Sequence, residues 1–150
     1  MSLKVRLTED MKQAMKDKEV GKLRLSVIRM VRANIKNVEI DRKQELTDDE
    51  VLDVVAKEVK MRRDAMEEFK KASRPDLVES LEQELAVLVD YLPEQLSEAA
   101  VRALVESAVA ETQAVSPKEM GKVMAVLMPK VKGRADGKLI NSIVREMLNQ

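Results

Sequence analysis

The chain has 150 residues, enough for one ordinary domain or two small ones. Its 27 basic residues balance 27 acidic ones, so no net charge draws the whole chain to nucleic acid or membrane, and any electrostatic partner must be met by a local cluster. Cysteine and histidine are absent, which excludes disulfides, thiol nucleophiles, thiolate zinc sites and the commonest general base.

Alanine, leucine, methionine, glutamate and lysine dominate, and Phe69 and Tyr91 are the two aromatic residues. Such a composition favours helix nearly everywhere, and no strand pattern appears. Ser2 is expected to cap a first helix with Leu3, Leu7, Met11, Ala14 and Met15 at helical spacing, and "KDKEVGK" breaks it near Val20 and Gly21. The segment "KLRLSVIRMVRANIKNVEIDR" places Leu23, Val27, Met30, Val31, Ile35 and Val38 on one face. Lys22, Arg29, Arg32 and Lys36 gather on the other, within a stretch holding five cations and no anion.

"TDDE" reads as a capping box of Thr47 and Glu50. Its helix carries Val51, Val55, Val59, Met66 and Phe69, with Glu58 to Arg62 and Glu67 to Lys71 as i,i+4 pairs. Pro75 interrupts, and the next helix uses Leu77, Leu81, Leu85, Leu88 and Leu92. Pro93 in "YLPEQLS" marks the domain boundary. Ser97 caps a helix bearing Val101, Leu104, Val105, Ala108 and Val109. Ser116, Pro117 and Glu119 start another, with Met120, Val123, Met124, Leu127 and Val131 as its stripe, Met128 as the exposed methionine and Pro129 as an early end or kink. Gly133 suits a left-handed residue, and Asp136 caps a last helix with Leu139, Ile140, Ile143, Val144 and Met147 inward. The expected fold is all-α, with a larger N-terminal domain of about four helices over 1–92 and a three-helix C-terminal domain over 93–150.

Independent catalysis finds little material. There is no nucleophile elbow and no glycine-rich phosphate loop, and the acids of "TDDEVLD" serve a helix start better than a metal. No catalytic residue, metal site or cofactor is therefore assigned. The charge-studded start carries no signal peptide, and the apolar runs are too short for a bilayer, so a cytoplasmic address without membrane contact is expected. Binding surfaces are better supplied. Six cations against two anions lie between Lys118 and Lys138. The corner "KVKGRADGK" is either a phosphate-gripping site at a helix N-terminus or a capped junction whose Asp136 fills the same donors. With two aromatics, any RNA would be read by shape and phosphates rather than by stacking.

The segments "LRLSVIRMVRANIKNVEID", "KEVKMRRDAMEEFKKASRPDL", "YLPEQLS" and "MGKVMAVLMPKVKGRADGKLINSIVREML" together resemble the YqeY family of bacterial proteins over essentially the whole chain. That family is similar to the C-terminal helical and tail region of the GatB subunit of tRNA-dependent amidotransferase, a carbon–nitrogen ligase with glutamine as amide donor. The resemblance implies a tRNA-associated accessory fold rather than a complete enzyme. It places tRNA contact on Lys130, Lys132, Arg134, Lys138 and Asn141, with Gly133 and Gly137 giving backbone access, and leaves Lys22, Arg29, Arg32 and Lys36 as a secondary basic face. No DNA partner is implied. A protein partner from the translation machinery, or an adaptor role without RNA, is the alternative.

Overall fold

The computed structural model describes residues 2–149. The chain is all-α: seven helices and one 3-10 turn, with no strand among the described residues. It divides into two compact units, Met1–Leu92 and Pro93–Gln150. No helix among the described residues is long and apolar enough to cross a membrane.

The N-terminal unit holds α1 (Leu3–Lys16), α2 (Lys22–Arg42), α3 (Asp48–Lys71) and α4 (Pro75–Val89). Ser2 caps α1 by accepting from the Val5 N–H. Gly21 then lets α2 turn back against α1, because a Cβ there would stand 2.2 Å from the Ala14 carbonyl oxygen. Thr47 and Glu50 form the expected capping box on α3, and Pro75 opens α4 at its first turn. Leu7, Val27, Ile28, Val31, Ile35, Val51, Val55, Val59, Leu88 and Tyr91 make the core.

Several side chains sit elsewhere than their spacing suggests. Met15, Leu23 and Met30 are 51%, 38% and 41% exposed, because the buried arc of α2 centres on Val27, Ile28, Val31 and Ile35 and leaves Leu23 and Met30 at its edge. Glu58 and Arg62 form the expected i,i+4 pair at 2.7 Å, and both are buried. Lys71 pairs with Glu68 at 3.6 Å.

The C-terminal unit holds α5 (Glu98–Thr112), the 3-10 turn Pro117–Glu119, α6 (Met120–Val131) and α7 (Gly137–Leu148). Its core is apolar, built on Val101, Val105, Ala108, Val123, Leu127, Val131, Ile140, Ile143, Val144 and Leu148. The Glu119 carboxylate reaches back to the N–H groups of Val115 (2.6 Å) and Ser116 (3.2 Å). Those bonds, Val115 first, hold its carboxyl below the usual carboxylate range. Pro129 neither ends nor shortens α6, which runs to Val131. It falls in the last turn, where the Lys132 N–H still closes on the Met128 carbonyl at 2.9 Å.

Candidate functional site

The two basic surfaces expected from the sequence lie one in each unit, and they are built differently. The α6–α7 corner begins where α6 ends. Gly133 takes φ +72°, a left-handed conformation that glycine adopts without strain. Arg134 closes the turn: its guanidinium donates to the carbonyls of Glu94 (3.2 Å) and Lys130 (3.2 Å), and its own carbonyl accepts from Leu96 N–H at 2.7 Å. Gln95 adds bonds to the carbonyls of Gly133 (2.8 Å) and Pro93 (2.9 Å). The segment entering α5 is thus clasped to the corner by backbone-directed hydrogen bonds. Asp136 caps α7 and accepts from the Lys138 N–H at 3.2 Å.

This geometry sorts the corner residues. Lys130, Lys132, Lys138 and Asn141 are exposed, and Lys130 Nζ lies 3.9 Å from Glu111. Arg134 is half-buried and directed at carbonyls, so its first role is to fasten the turn. Gly137 is the first residue of α7, and a Cβ added there would meet nothing within 4 Å, so the fold does not demand glycine at that position.

The second surface is a groove of about 510 Å³ between α1 and α2. Lys4, Arg29, Arg32 and Lys36 line it, together with Glu39 and Glu45. Arg29, Arg32 and Lys36 stand at i, i+3 and i+7, one line along a helix. Lys22, at the start of α2, is exposed and is not part of this lining. Lys4 Nζ bonds Glu39 at 2.7 Å, and Glu39 also accepts the Leu46 N–H at 2.9 Å. The Lys4 bond first, then the Leu46 bond, hold the Glu39 carboxyl below its ordinary range. Arg29 and Arg32 form no ion pair among the described residues, and Arg32 meets the Met11 thioether, a weak acceptor.

Sequence spacing finds Arg29, Arg32 and Lys36 but misses Lys4, Glu39 and Glu45. Glu39 continues the same line of α2, three residues after Lys36, and is passed over, whereas Lys4 and Glu45 join only through the fold and no local pattern marks them. The same holds for Glu94 and Gln95 at the corner. Elsewhere, Arg102 bridges Glu98 and Glu146, both at 3.1 Å, and ties α5 to α7. No group of three or more acidic side chains that could hold a metal occurs among the described residues. Of the two aromatic residues, Tyr91 is buried and Phe69 half-buried, so neither offers an open stacking face.

Comparison with known proteins adds kinship. A model of the Yqey-like protein family matches residues 4–148. "Altered inheritance of mitochondria protein 41, mitochondrial" of Pyrenophora tritici-repentis is 34% identical over 95% of this chain and 79% of its own length. Proteins of the same name from Kluyveromyces lactis and Lachancea thermotolerans are 44% and 37% identical, over 57% and 74% of this chain. The chain spans 45% and 60% of those two relatives. These matches correct two expectations. The relatives are fungal rather than bacterial, and their names place them in mitochondria, against the cytoplasmic address expected from the sequence.

Proposed function

The chain belongs to the Yqey-like protein family, and we propose that it is a non-catalytic accessory protein that binds structured RNA of the tRNA kind through its backbone phosphates. The observation that carries this reading is the α6–α7 corner. Lys130, Lys132 and Lys138 project from a turn that Arg134 and Gln95 hold fixed, in a segment resembling the GatB tail. A pre-set turn spares a binding partner the entropy of ordering it. Asn141, one turn into α7, extends the same edge.

The chemistry present supports binding rather than turnover, since cysteine and histidine are absent from the chain and several acids serve caps and ion pairs, Glu50 and Glu98 among them. A protein-adaptor reading has exposed apolar side chains in its favour, Met128 on α6 at 38% and Met15, Met30, Met61 and Ile40 in the N-terminal unit. Exposed apolar side chains are common on protein surfaces and mark an interface only as a contiguous patch.

A tRNA titration at several salt concentrations tests the reading. The variant is Lys132→Glu with Lys138→Glu, which spares the Arg134 clasp. The double variant is expected to weaken binding and to flatten the salt slope by roughly one to two units. Unchanged affinity and slope would remove the corner from the interface, and no tRNA binding at low salt would favour the adaptor.

A further inference from the structure

The α1–α2 groove is not needed by the corner reading, and its construction points to a ligand of its own. From Arg29 to Lys36 the helix rises about 10 Å, at 1.5 Å per residue. A stacked strand advances roughly 3.4 Å per phosphate along its axis and farther along the backbone itself, so two or three consecutive phosphates fit along that line. The cations are placed to be used: Arg29 and Arg32 form no internal ion pair among the described residues. The nearer carboxylate, Glu39, is turned to Lys4 at 2.7 Å and to the Leu46 N–H at 2.9 Å. The floor offers little to an apolar side chain, because Leu7 is 1% exposed and Ile35 4%. No aromatic ring lines the groove, so no base can stack there.

We propose that this groove is a track for the phosphodiester backbone of a single RNA strand, taking two or three consecutive phosphates without reading base identity. The inference rests on the RNA-binding reading above and adds a second, independent contact to it. An acidic peptide fits less well: it would need either evenly spaced charges along an extended strand or an apolar anchor, and the large apolar residues of the groove, Leu7 and Ile35, are buried. Glu45, exposed at the rim among the cations, opposes any anion that enters, so its removal has the opposite sign to removal of a cation.

The experiment uses the full chain and a fluorescent single-stranded uridine octamer, with tRNA titrated in parallel. Arg29→Glu with Lys36→Glu is expected to abolish octamer binding, whereas the Lys132→Glu, Lys138→Glu corner variant retains it. Wild-type octamer affinity is expected to fall roughly 20-fold between 50 and 200 mM salt, as three single-strand contacts require. Glu45→Gln is expected to tighten binding, a gain that a misfolded variant cannot produce. Equal binding of an octamer with uncharged methylphosphonate linkages would overturn the phosphate contact. Equal binding of inorganic tripolyphosphate would overturn the RNA strand as the ligand. If the groove variant binds the octamer as wild type does while tRNA still binds, the groove is wrong and the RNA reading stands. If neither RNA binds at low salt, both fall.

Discussion

The two helical units are held together by different means. In the C-terminal unit the core is apolar throughout, and polar groups work at its edges, in caps, in the Arg102 bridge and in the Arg134 clasp. In the N-terminal unit charge passes through the interior. Arg62 donates to Glu58 at 2.7 Å and to Glu84 at 3.3 Å, while Asn34 donates to the other Glu58 oxygen at 2.7 Å. That chain of bonds links α2, α3 and α4. Shape can register three helices around a short, dense core. In the longer four-helix unit, where α3 runs 24 residues, sliding by a turn would keep much apolar contact but would break the charge network. The comparison teaches that the same secondary structure can be fixed by packing or by paired charge.

The largest expected effect comes from breaking that pairing. Arg62→Met leaves Glu58, 7% exposed, without its cation and is expected to destabilise the N-terminal unit by about 3–5 kcal/mol. Adding Glu58→Leu is expected to recover most of the loss, since an apolar replacement of a whole buried pair is often close to neutral. Chemical denaturation of the single and double variants measures both. A single variant as stable as wild type would show that shape alone holds this unit too.

A smaller effect, with a pH signature, separates the units again. Tyr91, the one tyrosine of the chain, lies in the N-terminal unit and donates to Asp10 at 2.5 Å under the Arg6 guanidinium, 4.5 Å from the ring centre. Arg24 also reaches Asp10, at 3.3 Å. Burial first, and the Asp10 bond second, push the Tyr91 hydroxyl up to about 12 against an ordinary 10.0, with Arg24 opposing. A raised value favours the protonated, folded form, so this contribution is whole below pH 10 and is lost as pH climbs toward 12. Tyrosinate absorbance is expected to titrate near 12 in the native protein and to move down in Asp10→Asn. A native midpoint at the ordinary value would remove the buried phenol from the network.

Much of this is legible in the sequence, and the failures have a common cause. Helix starts are readable because caps are local: Ser2, Thr47 with Glu50, Ser97 and Asp136 all act within three residues. The seven-helix, all-α reading follows from apolar spacing together with these caps and the Gly and Pro breaks. Spacing pairs Glu58 with Arg62 without revealing that the pair is buried, because charge ordinarily signals exposure. Their positions give the other answer, since Arg62 falls between Val59 and Met66 on the α3 stripe. Met15, Leu23 and Met30 err the opposite way, being apolar but at the edge of the buried arc. At the corner, Gly133 is readable from its place after α6, whereas the Arg134 clasp is not, because Glu94 is 40 residues distant in sequence. The groove's Lys4–Glu39 pair, 35 residues apart, is hidden for the same reason.

The smallest effect tests whether that corner is fixed by backbone conformation or merely permitted by small residues. Its two glycines look alike in sequence and differ in structure. Gly133 sits at φ +72°, and a Cβ there would meet Pro93 Cδ at an ordinary 3.7 Å, so the cost of Gly133→Ala is conformational rather than steric. It is expected at about 1–2 kcal/mol, the penalty for a left-handed L-residue. Gly137 is helical, and a Cβ there meets nothing within 4 Å. Gly137→Ala is therefore expected to stabilise by about 0.4–1 kcal/mol, by restricting the unfolded chain. Thermal denaturation of the two variants checks the opposite signs. If both destabilise alike, the fold itself needs glycine at Gly137, against the open space around its backbone. A loss of tRNA affinity in a stabilised Gly137→Ala protein would instead assign the glycine to RNA contact, because a variant that folds better and binds worse has lost something only the partner uses.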